Sequence, residues 1–279
     1  MKNLTELYSN VKMMDGEIES LGKTLLNNPI LMVKKGDNCV NNGKILIVAS
    51  IHAREYITSY LVANLAKDYK GAYPIDFIPM LNPDGVFLCR NGVTSIKNRP
   101  KLAKDLLAIN KSPNFSLWKA NARCVDLNVN YDADWGEGIS NKRYKHGSDY
   151  IGEYPHSEIE TQIIVNLLEK NNYTMIVSYH SKGEEIYWGY KSDTRYKKEA
   201  TLIAKKLGYA LKESHGSAGG LKDYFTLKYK RLGLTIEVGK DKFNHPYPMS
   251  ELPQLIKQHS NSLELMCLIA KKLELTEGY

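Results

Sequence analysis

Cysteine is scarce and scattered in this sequence. Cys39, Cys89, Cys124 and Cys267 are the four among 279 residues, and no two form a C-x-x-C pair. Such spacing speaks against a disulfide framework or a cysteine-built structural zinc site, so reduced thiols are expected. Long apolar runs are missing too, with none near the ~18–20 residues that cross a bilayer. The start, Met1-Lys2-Asn3-Leu4-Thr5-Glu6, is polar and develops no apolar export segment, which predicts a cytoplasmic protein. There is no internal repeat, low-complexity tract or linker-like break, and the whole of 1–279 reads as one domain. Charge of one sign is not concentrated. The net charge is +7, but acidic residues lie among the Lys and Arg throughout. Without a basic stripe carrying interleaved aromatics, a nucleic-acid partner is not expected. Phe is rare, five against 19 Tyr, so most aromatic rings carry a hydroxyl suited to a polar groove.

What is present is an alternation of strand and helix patterns. Apolar runs from Pro29 to Val33 and from Lys44 to Ala49 flank a turn-rich stretch over 36–43 and read as paired strands. After Ser50-Ile51-His52 the helical period takes over, with Tyr56, Tyr60, Leu61 and Leu65 on one face of a helix reaching about Tyr69. A run from Ile75 to Leu81 stops at Asn82-Pro83-Asp84-Gly85, a turn signal. Ser157 and Glu160 have the spacing of a capping box before a helix bearing Ile163, Ile164, Leu167 and Leu168. Tyr173 to Tyr179 reads as a strand leading into His180. Residues 195–213 read as an amphipathic helix with Leu202, Ile203, Leu207 and Leu211 as its stripe. Leu232 to Val238 is a further strand, and a helix from about Ser250 to Lys272 closes the chain. Strands alternating with helices predict an α/β layered fold, with ligands gathering where strands end.

Chemistry-bearing residues sit at those ends. In His52-Ala53-Arg54-Glu55 an imidazole and a carboxylate three apart can turn toward one point, and both are zinc donors. Taken alone, the four residues equally describe a strand-end His and a Glu favoured by the helix dipole. His180 ends another apolar strand and offers a third donor, leaving one coordination place open, as in catalytic zinc sites. In Leu232-Gly233-Leu234-Thr235-Ile236-Glu237-Val238, alternation puts Glu237 opposite the apolar face. Held in a cleft, that carboxyl would be raised by desolvation and lowered by a nearby cation, which suits a general base near neutrality.

These motifs, in this order, resemble the M14 zinc carboxypeptidase family. The set comprises His52-Ala53-Arg54-Glu55-Tyr56-Ile57-Thr58, Asn82-Pro83-Asp84-Gly85, Val125-Asp126-Leu127-Asn128, the strand ending at His180, and Thr235-Ile236-Glu237. It spans about residues 44 to 250. The resemblance implies a mixed, twisted, about eight-stranded sheet flanked by helices, and one Zn2+ held by His52, Glu55 and His180. It further implies Glu237 as base and proton shuttle, Arg54 beside the substrate, and Asp126 orienting a ligand His. Zinc would activate water and polarise the scissile carbonyl. For the cation facing the oxyanion, Lys119 and Arg123 both fall in the relevant segment, and the guanidinium fork favours Arg123.

The departures narrow the resemblance. Carboxypeptidases usually carry Arg after the Asn that stands here as Asn128, whereas this chain has Val129. An apolar side chain cannot replace a bidentate carboxylate clamp. The mobile Tyr of digestive members would fall near His215, which becomes a candidate substrate contact with Asn128. Trp118-Lys119-Ala120-Asn121-Ala122-Arg123 and Gly219-Gly220-Leu221-Lys222-Asp223-Tyr224-Phe225 are similar to the bacterial γ-D-glutamyl-diamino acid endopeptidases. That branch cuts between γ-D-glutamate and diaminopimelate or lysine in peptidoglycan stem peptides. Lys222 would lie near the pocket floor, where a cation suits the second carboxylate of diaminopimelate. Two rival readings remain: a carboxypeptidase or deglutamylase acting on protein tails, and a non-catalytic muropeptide-binding module.

Overall fold

The structure is a computed structural model that describes residues 4–12, 14–37, 43–96, 98–191 and 193–277. Its centre is one eight-stranded mixed sheet. The strands are β1 (Glu17–Lys23), β2 (Pro29–Lys35), β3 (Lys44–Ala49), β4 (Ile75–Ile78), β5 (Tyr173–Ser181), β6 (Glu185–Trp188), β7 (Ala210–Glu213) and β8 (Leu232–Val238), ordered β1-β2-β4-β3-β5-β8-β6-β7. The middle four, β4-β3-β5-β8, are mutually parallel, while β1, β2 and β6 join antiparallel. The helices are α1 (Leu4–Lys12), α2 (Ile57–Asp68), α3 (Pro83–Asn91), α4 (Pro100–Asn110), α5 (Ile159–Lys170), α6 (Lys197–Leu207), α7 (Leu221–Tyr229), α8 (Leu252–Ser260) and α9 (Ser262–Glu277). None among the described residues is long and apolar enough to cross a membrane.

Both sheet faces are covered, which is why the central strands are apolar on both sides. Ile45, Ile47, Val177, Leu234 and Ile236 pack under α2, α6, α8 and α9. Leu46, Val48 and Ile176 pack on the other face with Ile164 of α5 and Phe225 of α7. A smaller cluster joins Leu88 of α3 and Leu106 of α4 to Phe115 and Trp118.

Several sequence expectations change in three dimensions. The runs at 29–33 and 44–49 are strands but not partners, because β4 lies between them. β3 returns through α2 to β4 as a parallel crossover, and β2 then adds antiparallel to β4. Residues 38–42 of the intervening stretch, with Cys39, lie outside the described residues; Cys89, Cys124 and Cys267 are free thiols. Asn82-Pro83-Asp84-Gly85 does not end in a turn but opens α3. The Asn82 side chain caps it by accepting from Gly85 N at 3.0 Å, with Pro83 in the first turn. The capping box at Ser157 and Glu160 does not form: Glu158 is the cap residue and Ser157 Oγ donates to its Oε1 at 2.8 Å. The expected helix over 195–213 stops at Leu207, where Gly208 takes φ +72°, and 210–213 become β7. Leu211 therefore belongs to a strand, and Leu202 is 44% exposed rather than core. The C-terminal run divides into a short 3-10 turn, α8 and α9.

Candidate metal centre and cleft

The ends of β3, β5 and β8 lie side by side, and each delivers one polar side chain. At the end of β3, Ser50 takes φ +46° and breaks the strand. Its backbone N–H donates to Thr58 Oγ1 at 3.0 Å, and its hydroxyl lies 2.6 Å from Ser59 Oγ. That sharp exit points the chain into a 3-10 turn, Ala53–Glu55. Residues three apart eclipse in such a turn, so His52 and Glu55 share one side. β5 carries His180 to the same place. His52 Nδ1 is 3.0 Å from Glu55 Oε1, and His180 Nδ1 is 3.1 Å from both His52 Nδ1 and Glu55 Oε2. All three residues are buried, and their donor atoms lie within 4.8 Å of one another.

The donors fit a divalent zinc. Asp126 Oδ1 sits 3.2 Å from His52 Nε2, and its negative charge favours the tautomer with the proton on Nε2, which leaves the Nδ1 lone pair for the cluster. Two imidazole nitrogens and a carboxylate are the three-protein-ligand set of catalytic zinc. Asp126 is fully buried and accepts from Asn128 N (3.0 Å) and Asp149 N (3.2 Å).

Lys119 and Arg123 part company here. Lys119 Nζ is 2.8 Å from Asp126 Oδ2 and 3.3 Å from Asp149 Oδ1. Ala53 N donates to Lys119 O at 2.9 Å, fastening this segment to the His52–Glu55 turn. Arg123 is 47% exposed and pairs with Glu158 at 3.2 Å and Glu153 at 3.9 Å. Neither acid belongs to the cluster, and the cation whose charge reaches His52, His180 and Glu237 is Lys119.

Glu237 stands beside His180 in the β5–β8 register and beside Glu185 in the β8–β6 register. It borders a cavity of about 290 Å³ lined also by Asn128, Tyr187, His215, Lys222 and Asp223. Asn128 Oδ1 accepts from Leu221 N at 3.1 Å, tying this wall to the start of α7. Gly219 has φ +78°, and a Cβ there would lie 2.6 Å from Val129 O, so the Val129 backbone packs directly on the glycine pair. His215 is an 84% exposed rim residue. Lys222 is 4% exposed, and its ammonium donates to Gly189 O and to Asp223 Oδ1. Lys222 thus lines this cavity as expected of its position, and it does so as one half of an ion pair with Asp223.

The family model for zinc carboxypeptidases (Peptidase_M14) matches residues 1–262. The chain belongs to the M14 zinc carboxypeptidase family. It is 29% identical over 276 residues to gamma-D-glutamyl-L-diamino acid endopeptidase 1 of Lysinibacillus sphaericus, covering 90% of this chain and 68% of that protein. Among solved structures it is similar to thrombin activatable fibrinolysis inhibitor, with TM-score 0.76, 19% identity and coverage of 97% and 74% of the two chains. It is also similar to murein-tripeptide amidase MpaA of Escherichia coli O157, with TM-score 0.60, 17% identity and coverage of 93% and 94%.

The electrostatics of this M14 zinc peptidase site follow from its burial. Desolvation depresses the His52 imidazole, yet Glu55 and Asp126 outweigh it and lift the pKa to about 9. The same negative field attracts a divalent cation. Burial lowers His180. Burial also opposes ionisation of Glu55, but His52 and His180 hold it well below the usual carboxylate range. Glu237 is pushed up to about 8 by burial and by the charge of Glu55. Asp223, which lines the cavity at Glu237, carries no local signal, because it is hidden in a helix-opening run that reads as ordinary first-turn acid; His245, in Phe243-Asn244-His245-Pro246, likewise has no motif around it.

Proposed function

We propose that this chain is a zinc peptidase that hydrolyses the amide between γ-D-glutamate and a diamino acid, diaminopimelate or lysine, in peptidoglycan stem peptides. The observation that carries the reading is the clustering of His52, Glu55 and His180, with Glu237 beside His180 in register and lining a cavity that the Lys222–Asp223 ion pair also lines. The activity for which the Lysinibacillus relative is named supports the substrate class. A zinc held by His52, Glu55 and His180 would supply Lewis acidity to the scissile carbonyl and to the attacking water.

The remaining work belongs to the chain's own residues. Glu237 takes a proton from the attacking water and returns it to the leaving nitrogen. Asp126 keeps His52 in the required tautomer. Lys119, rather than Arg123, offers the positive charge for the developing oxyanion. Asn128 spends its amide oxygen on Leu221 N, which leaves its Nδ2 as a donor to substrate. On the cavity floor, Asp223 and Lys222 match the ammonium and carboxylate of the distal centre of diaminopimelate, whereas a lysine side chain presents only an ammonium. Val129 removes the carboxylate clamp expected of trimming from a free C-terminus.

The test is mass spectrometry of products from defined stem peptides, incubated with wild type and with Glu237→Ala. Cleavage only at the γ-D-glutamyl–diamino acid bond, lost in the variant, is expected. Release of single C-terminal residues from ordinary peptides would replace this reading with a carboxypeptidase or deglutamylase. Turnover unchanged in Glu237→Ala would refute the mechanism. Lys222→Met should lower kcat/KM for diaminopimelate peptides by roughly tenfold more than for lysine peptides; equal loss on both removes Lys222 from specificity.

A further inference from the structure

Arg54 is a cation that the hydrolytic scheme leaves unused. It lies in the 3-10 turn between the two donors His52 and Glu55. Its Nε is buried without a hydrogen-bond partner, and among the described residues no carboxylate pairs with its guanidinium. His245, in the loop after β8, presents a second buried orphan at Nδ1. The charges of Glu55, Arg54, Lys182 and His52 all bear on the His245 imidazole, which puts it within electrostatic reach of that turn. Lys182 is already engaged, donating to Asp241 O and Oδ1 at 2.6 Å. Unpaired buried polar atoms are costly and rare, and two of them beside a reaction centre point to a ligand that completes them.

Position and chemistry identify that ligand. Neither Arg54 nor His245 lines the cavity at Glu237. A substrate whose diamino acid fills that cavity therefore continues past the ligand group onto the flank where they stand. On that acyl side a γ-linked glutamate differs from any ordinary residue. Its side-chain carboxyl forms the scissile amide, so its α-carboxyl remains free as an anion, separated from the scissile carbonyl by three carbons. We propose that Arg54, with His245 alongside, forms a carboxylate subsite for this free α-carboxylate, an assignment that rests on the function proposed above. The planar guanidinium matches a carboxylate in bidentate geometry. A neutral imidazole protonated at Nδ1 adds one further donor. The subsite would make the enzyme a reader of the γ-linkage itself, because an α-linked peptide presents a neutral amide at that position.

The experiment compares two stem peptides that differ at one group: D-glutamate with its free α-carboxylate, and D-isoglutamine with the α-amide. Wild type should favour the acid by about ten- to hundredfold in kcat/KM. Arg54→Gln should bring the ratio close to one, Arg54→Lys should leave an intermediate ratio, and His245→Ala should reduce it. Zinc content and circular dichroism of each variant confirm that the ligand turn is intact. A readout free of variants is inhibition of wild type by N-acetyl-L-alanyl-D-glutamate against its isoglutamine counterpart, with the acid expected to bind more tightly. A wild-type ratio near one, equal inhibition by the two products, or a ratio unchanged in Arg54→Gln would overturn the subsite while leaving the proposed function standing. A ratio unchanged in His245→Ala removes His245 from it. Cleavage of neither peptide by wild type overturns the proposed function, and the subsite with it.

Discussion

At the scale of single residues, the site is governed by what each charge is paired with. Lys119 and Arg123 are both cations in one short segment, but Asn121 bends that segment by accepting from Arg123 N and Val125 N at 2.9 and 3.0 Å. The bend sends Lys119 to Asp126 and Arg123 to Glu158. Their substitutions should therefore separate. Lys119→Met is expected to lower kcat by about 10²–10³-fold, the size of a lost oxyanion partner. Arg123→Met should leave kcat within severalfold of wild type and lower stability instead, because Glu158 is buried and loses its ion-pair partner. Steady-state kinetics and urea denaturation of both variants check this, and the opposite pattern would return the oxyanion role to Arg123.

At the scale of elements, the start of α5 holds a buried acidic pair. Asn121 Nδ2 donates to Glu158 at 2.8 Å and to Glu160 at 3.4 Å. Glu158 has Arg123 and the Ser157 hydroxyl in addition. Among the described residues no cation pairs with Glu160, and burial followed by the charge of Glu158 lifts its pKa from 4.5 to about 8. A raised folded-state pKa means that the folded protein keeps a proton which the unfolded chain releases. The associated stability is complete below about pH 4.5 and is lost as pH rises toward 8. Glu160→Gln, which stays neutral, should remove this slope and raise stability at pH 8 by up to a few kcal/mol. Urea denaturation of both proteins at pH 5 and pH 8.5 measures it; parallel pH profiles would show that Glu160 titrates normally.

At the scale of the whole molecule, the three donors tie together the ends of β3 and β5 at the centre of the sheet. A metal bound there binds the folded chain and not the unfolded one, so its removal should cost stability as well as activity. Dialysis against a strong chelator is expected to abolish hydrolysis and lower Tm by roughly 5–10 °C for zinc originally at about a hundred times its Kd. One equivalent of Zn2+ per chain should restore both. Unchanged Tm and activity after verified metal removal would sink the metal-centre reading.

How much of this was legible in the chain divides along a physical line. The strands β5 and β8, the α/β class and the residue types at the strand ends could be read because they are local. An apolar run, its period and the polar residue that ends it are all written within a few positions. Sequence by itself thus determined that His52, His180 and Glu237 would stand at or near the ends of apolar strands, with Glu55 at the strand-to-helix junction after His52. Only the tertiary structure decided which strands neighbour one another, because β4 enters between β2 and β3 after a crossover that no local pattern encodes. It alone decided that Lys119 rather than Arg123 meets Asp126, that Asp223 neutralises Lys222, and that Arg54 Nε and His245 Nδ1 are buried without hydrogen-bond partners among the described residues. Those outcomes depend on electrostatic pairing between residues distant in sequence, and pairing is settled by packing rather than by spacing.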